Sequence, residues 1–127
     1  MLYEKFVKKA KQQDERNDFA ELEDSTSKSL PEPVRKFYSY ANPVDVELRM
    51  SDLTSIKLYS ADSLPALQQE YRMPEEFFVV ATREGDPIFI KNGKVYTAVH
   101  GAGEWEKELL FNSFNEFLEN IIDQIKL

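Results

Sequence analysis

The sequence has no cysteine among its 127 residues and only one histidine, one tryptophan and 4 glycines. The lack of cysteine excludes disulfides, thiolate zinc sites and a cysteine nucleophile, and it suits a reducing compartment. No apolar run approaches the roughly 20 residues that span a bilayer. The first residues also lack the apolar segment of a secretion signal. We therefore predict a cytoplasmic protein with no membrane partner.

Basic residues are outnumbered, with 16 Lys and Arg against 23 Asp and Glu, and the formal net charge is −7. Such a charge repels nucleic acid and anionic membranes and favours a cationic partner. An acidic surface also confers solubility without any binding role, and both interpretations stay open. We expect no nucleic-acid partner.

A chain of this length suits one domain, which buries roughly two-thirds of its unfolded surface. We predict a single domain over 1–127, with an N-terminal helix at its margin (1–17). Leu2, Phe6 and Ala10 lie on one face of that helix, and lysines surround the other. Because acidic residues interrupt the basic face, we expect the helix to dock on the core and not on a membrane.

The clearest structural pattern in the sequence lies in the stretch 77–122. Four strand-like runs follow one another with short turns between them, at 77–81, 87–91, 94–100 and 104–110. Asn92 and Gly93 predict a type I′ turn, which needs positive φ at both residues. Loops this short permit antiparallel neighbours only, so the runs predict a β-meander. Ser113 and Glu116 form a capping box that opens a long C-terminal helix.

The first half of the chain predicts helices and two further extended pieces. The predicted elements before Asn42 are a short helical segment at 18–23 capped by Asp18, a polar linker at 24–29, and a helix that begins within 30–33 and ends at Asn42. After it come an alternating strand at 44–50, an extended piece at 53–58 and a helix from Ser60 to Met73. The fold class is therefore α+β, with a mostly antiparallel sheet flanked by helices.

Candidates for catalysis are few. His100 has no local nucleophile or orienting group, which base catalysis requires. Glu104, Glu106 and Glu108 alternate, as on a solvated strand face, although carboxylates also bind hard cations. We predict no catalytic residue, no metal site and no cofactor. An enzyme using His100 with Glu104 is the least favoured alternative.

Surface acids are the candidates for partner binding, together with the single tryptophan, which is either a core residue or an exposed anchor. The predicted residues are Asp45, Glu47, Glu75, Glu76, Glu84, Asp86, Glu104 and Trp105. The other aromatic residues fall at core spacings without interleaved Lys or Arg, so we expect no RNA-stacking platform. The oligomeric state stays open, since an exposed sheet edge could pair two copies.

The order of several short motifs resembles the SMI1/KNR4 family, also called the SUKH superfamily, over about 18–122. The motifs are LPEP (30–33), YSYANP (38–43), FVVA (78–81), GDPI (85–88), GKVY (93–96), HG (100–101), Trp105 and SFNEFL (113–118). The resemblance implies structural roles for most of these residues. Gly85 permits a turn, Val95 and Tyr96 pack the sheet, and Phe114 and Phe117 fix the last helix.

This resemblance implies a non-enzymatic α+β domain. Bacterial members of the family are mainly immunity proteins that bind and neutralise toxin domains, often nucleases, and fungal members are interaction modules. The resemblance supplies no catalytic residue and does not locate the binding surface. With the net charge of −7, it predicts an immunity protein that binds a basic toxin domain, such as a nuclease, through acidic residues. The alternative is a general protein-interaction module of the same family without a toxin partner.

Overall fold

The computed structural model describes residues 1–99 and 106–127. The helices are α1 (Leu2–Gln13), α2 (Asp24–Lys28), α3 (Glu32–Tyr40), α4 (Leu64–Glu70), preceded by a 3-10 turn (Ala61–Ser63), and α5 (Phe114–Gln124). The strands are β1 (Asp18–Ala20), β2 (Asn42–Val44), β3 (Val46–Arg49), β4 (Ser55–Leu58), β5 (Phe78–Arg83), β6 (Asp86–Lys91), β7 (Lys94–Val99) and β8 (Glu106–Phe111). The predicted α+β class is confirmed.

Six strands form one antiparallel sheet in the order β3-β4-β5-β6-β7-β8, so every neighbour in space is also a neighbour in sequence. The predicted meander corresponds to its last four strands, β5 to β8. The turn between β6 and β7 has φ of 51° at Asn92 and 77° at Gly93, as the predicted type I′ turn requires. β1 and β2 pair separately as a small antiparallel ribbon.

One face of the sheet packs against α1, α3 and α5. An aromatic line joins the three helices: the rings of Phe6 and Phe37 lie 5.4 Å apart, those of Phe37 and Phe114 5.6 Å, and those of Phe114 and Phe117 5.7 Å. Phe117 in turn contacts Phe111 of β8, at 6.0 Å. Since Phe6 and Ala10 are buried, α1 docks on the core, as expected from its apolar stripe.

The capping box at the start of α5 is confirmed. The Ser113 hydroxyl accepts from the amide of Glu116 at 3.1 Å, and the Glu116 carboxylate accepts from the amide of Asn112 at 2.9 Å. The first bond satisfies an amide that the first helical turn leaves without a partner. In the second bond the carboxylate reaches back to Asn112, one residue before the N-cap. The helix then buries Phe114, Phe117, Leu118 and Ile121, with Ile122 half-buried.

The structure corrects three predictions in the first half of the chain. Residues 18–20 form strand β1 and not a capped helix, because they pair with β2 and because the Phe19 ring packs on Phe6 at 6.3 Å. The predicted linker at 24–29 contains helix α2, where the hydroxyl of Ser27 is bonded to the carbonyl of Asp24. The predicted strand at 44–50 is divided, since Asp45 has φ of 53° and separates β2 from β3.

Candidate interaction surface

The predicted acidic residues lie on separate parts of the molecule. Glu75 and Glu76 precede β5, whereas Glu84 and Asp86 follow it, so a strand of six residues, about 20 Å, separates the two pairs. Asp45 lies between β2 and β3. Among the described residues these acids therefore do not form one patch. Glu104 and Trp105, like His100, lie outside the described residues.

Two of the predicted acids, Glu84 and Asp86, lie at the same turn, after β5. The Glu84 carboxylate accepts from the amide of Ser55 at 2.7 Å, and the Glu84 amide donates to the Ser55 carbonyl at 3.2 Å. Asp52 belongs to the neighbouring turn, and its bonds from Thr54, together with the charge of Arg83, lower the pKa of its carboxyl. Glu84 is thus committed to holding the two turns together.

Glu47 projects from β3 into an open groove of about 510 Å³ between that strand and the end of α1. The groove has charges of both signs, since Asp14, Arg16, Arg49 and Lys126 also line it. The Arg16 guanidinium donates to the Asp14 carboxylate at 2.7 Å, and these hydrogen bonds lower the pKa of that carboxyl to about 2. Three cationic side chains therefore line the groove against two carboxylates, and it is not an acidic site.

Side chains close the outer edge of β3. Gln13 accepts from the amide of Arg49 at 2.8 Å and donates to its carbonyl at 2.7 Å, and Asn17 accepts from the amide of Glu47 at 3.0 Å. The amide of Lys126 adds a bond to the Arg49 carbonyl at 2.9 Å. These contacts satisfy groups that an edge strand would otherwise offer to another chain. Strand β8 is the opposite edge, and no described residue caps it in this way.

The face of the sheet opposite α1, α3 and α5 is basic. The register and the alternation of side chains place five basic residues on it: Arg49, Lys57, Lys91, Lys94 and Lys107. Glu47 is the one carboxylate that the described strands place on the same face. We call this surface the open face. Among the residues that the structure describes, the ion pair is Asp14 with Arg16. None of the lysines of the open face therefore lies within 4 Å of a described carboxylate. Glu47 lies directly opposite Lys57 in the register, whereas Lys91, Lys94 and Lys107 have no carboxylate opposite them, so the positive charge on β6, β7 and β8 is not neutralised by a strand neighbour.

Aromatic rings lie among these lysines. Phe77 folds over Phe89, with ring centres 5.2 Å apart, and Phe89 stacks on Tyr96 at 5.8 Å. The ammonium groups of Lys91 and Lys107 lie 4.8 and 4.9 Å from the centre of the Phe77 ring. Such distances are typical of cation–π interactions.

The expectation that aromatic residues lack interleaved cations is therefore wrong on the open face. The signal was present in the sequence: a lysine stands two residues from an aromatic residue in Lys57/Tyr59, Phe89/Lys91 and Lys94/Tyr96. Residues two apart share a strand face. The Lys57 ammonium accordingly lies 5.4 Å from the centre of the Tyr59 ring.

The residues described by the structure hold no group of three His, Cys, Asp or Glu that could bind a metal ion. Within the same ranges, no helix has the length and apolar character needed to cross a membrane.

Comparison with known proteins identifies the family. The model of the SMI1/KNR4 family, SUKH-1, matches residues 15–120, a range that includes every strand and ends within α5. No curated protein and no solved structure matches the chain significantly. On the match to most of its length, the chain belongs to the SMI1/KNR4 family (SUKH-1).

Proposed function

We propose that this protein is a cytoplasmic, non-enzymatic binding protein of the immunity type, which neutralises a cognate bacterial toxin by direct contact. The family match over residues 15–120 carries the proposal, because SUKH proteins are generally non-catalytic and of the immunity type. Direct binding needs only a surface complementary to the toxin. Family membership and an exposed, charged surface both support such a role.

The net charge of −7 supports a basic toxin domain as the partner. A nuclease toxin binds a polyanion and therefore tends to be basic, and an acidic protein is steered toward it by long-range attraction. Glu75 and Glu76 are exposed and hold no ion pair with a described residue. They are better placed for this role than Glu84, whose carboxylate already binds the amide of Ser55.

A general protein-interaction module without a toxin is the second candidate. The open face favours it, because a cluster of unneutralised lysines beside Phe77 and Tyr96 does not match a basic partner. Both candidates are binding proteins, and they differ in what the partner does to a cell.

We expect affinity capture with the tagged protein from source-cell lysate to recover a stoichiometric partner that is toxic when expressed alone in another bacterium. Co-expression of this protein should then restore growth. The Phe37→Ala variant, whose core is disrupted, serves as a control for the need for a folded protein. A captured partner that is harmless on its own would overturn the toxin proposal and favour the interaction module.

Charge reversal tests the electrostatic part of the proposal. We expect Glu75→Lys with Glu76→Lys to slow association with the captured toxin about tenfold at low salt, and to weaken its dependence on salt, because the variant loses attraction to a basic partner. Stopped-flow fluorescence measures the association rate. Glu119→Lys with Asp123→Lys, on exposed positions of α5, changes the net charge equally and is the matched control. If neither the Glu75→Lys, Glu76→Lys variant nor the Asp45→Lys, Glu47→Lys variant changed the association rate, steering by these acids would be contradicted.

A further inference from the structure

We propose that the open face of the sheet binds an acidic, partly apolar peptide segment of a partner protein. The proposal goes beyond the function proposed above, because it assigns the surface and the chemistry of the bound segment whether or not the partner is a toxin. It rests on the charge of the face, its exposed apolar groups and its size.

Charge complementarity gives the sign of the ligand. Lys57, Lys94 and Lys107 are exposed, and Lys91 is half-buried. In a chain with more acids than bases, the strands place these lysines together on one face and add a single carboxylate, Glu47, among the described residues. Unpaired ammonium groups on neighbouring strands are suited to carboxylates, which accept charge-assisted hydrogen bonds from them.

Apolar groups on the same face give the second part of the ligand. Leu109 is 49% exposed, and the register pairs it with Tyr96, which is half-buried. Phe77 is also half-buried and lies on the outside of Phe89. A segment that carries leucine-like side chains beside its carboxylates would cover this apolar surface as well as the lysines.

The aromatic arrangement favours a peptide over a nucleic acid. Base stacking needs an accessible ring face, but Phe89 is fully buried, and two lysine ammonium groups lie within 5 Å of the centre of the Phe77 ring. The net charge of −7 also repels a polyanion at long range. A short peptide with a few carboxylates is repelled less.

The size of the face fits one segment. Five strands, β4 to β8, span about 20 Å across at roughly 4.8 Å per strand, and a six-residue strand is about 20 Å long. The resulting area of roughly 400 Å² is an upper bound on the binding surface, because Val79, Phe89 and Ala98 on this face are buried, and it is half of the ~800 Å² that each partner contributes to a standard interface. An extended segment that crosses the strands needs no more, and its alternate side chains point toward the sheet.

A nuclear magnetic resonance titration tests the proposal without knowledge of the natural partner. The probe is a synthetic peptide of the repeat Asp-Ser-Leu-Ser-Glu-Ser-Leu-Ser, in which acidic and leucine side chains share one face when the chain is extended. Added to the ¹⁵N-labelled full chain, it should shift the amide signals of β4, β6, β7 and β8. We expect Lys57→Glu with Lys107→Glu to raise the Kd at least tenfold.

The matched control is Lys8→Glu with Lys11→Glu, which makes the same change in net charge on helix α1, where both lysines are exposed. It should raise the Kd less than twofold. Equal weakening by the two pairs would overturn the proposal, since binding would then follow net charge alone. A Lys57→Gln with Lys107→Gln variant that retains the spectrum of the folded protein and also binds weakly separates lost contacts from lost folding.

Two further probes decide the class of ligand. The same peptide with serine in place of leucine should bind several-fold more weakly, and equal affinity would overturn the apolar part of the proposal. Oligothymidylate of equal charge should shift the open-face amides less than the peptide does. Tighter binding of the oligonucleotide at those amides would overturn the peptide assignment in favour of single-stranded nucleic acid.

Discussion

Replacing Phe37 with alanine should lower the free energy of unfolding by about 3–5 kcal/mol, the range typical of a buried phenylalanine. The side chain is 0% exposed. Its ring lies 5.4 Å from that of Phe6 and 5.6 Å from those of Tyr3 and Phe114, so it joins α1 and α5 through α3. The cavity left by the ring opens at the junction of three helices, where no single element can move to fill it.

Urea unfolding followed by circular dichroism measures this loss. A domain of this size has a stability of about 5–15 kcal/mol, so the Phe37→Ala variant should unfold at a much lower urea concentration. Tyr40→Ala removes an aromatic side chain from the same helix, but that side chain is 49% exposed, and we expect a loss of less than about 1 kcal/mol. Equal losses in the two variants would show that Phe37 does not hold the helical layer together.

The second half of the fold is predictable from sequence because its signals are local. Asn92 and Gly93 determine a hairpin turn by themselves, and the short loops around them exclude all but antiparallel neighbours. The capping box of Ser113 and Glu116 marks the start of α5 with side chains only three residues apart. Each of these features acts within a few residues, where sequence patterns are most informative.

The elements that the sequence predicted wrongly depend on distant residues. Strand β1 has three residues, and its extended form is held by pairing with β2 and by contact of Phe19 with Phe6. Helix α2 has only five residues, too few for helix propensity to be decisive. Asp45 adopts a positive φ, which aspartate tolerates better than most residues but which no local motif announced.

The sequence predicts the candidate surface less well than the fold, for a related reason. A net charge of −7 directs attention to carboxylates, yet several of the predicted acids lie at turns on opposite ends of β5. The lysines of the open face are far apart in the chain, and only the strand order brings Lys57, Lys91 and Lys107 onto one surface. Net charge describes long-range steering, whereas the sign of a docking surface depends on which strands are adjacent.

A single glutamine completes the hydrogen bonding of β5, the strand next to this surface. Strand β4 pairs with β5 only from Ala81 onward, so the first residues of β5 lack a neighbour on that side. The Gln68 side chain takes the neighbour's place: its amide nitrogen donates to the Phe77 carbonyl at 2.7 Å, and its oxygen accepts from the Val79 amide at 2.9 Å. It also donates to the carbonyl of Pro74 at 3.0 Å. Gln68 thus holds the segment that carries Phe77 against the sheet.

Replacing Gln68 with alanine should therefore lower the free energy of unfolding by about 2–3 kcal/mol, because backbone groups of Phe77 and Val79 lose their partners in a half-buried site. Hydrogen exchange should show the effect locally, with the Val79 amide exchanging much faster than amides in the centre of β6. Gln69→Ala, at the adjacent exposed position of α4, is the matched control and should change stability by less than about 0.5 kcal/mol. If Val79 exchanged at the same rate in both variants, Gln68 would not be the partner that completes β5. If the Val79 amide exchanged faster only in Gln68→Ala, the same variant should also bind the acidic peptide more weakly. The reason is that Phe77 would no longer be held beside Lys91 and Lys107.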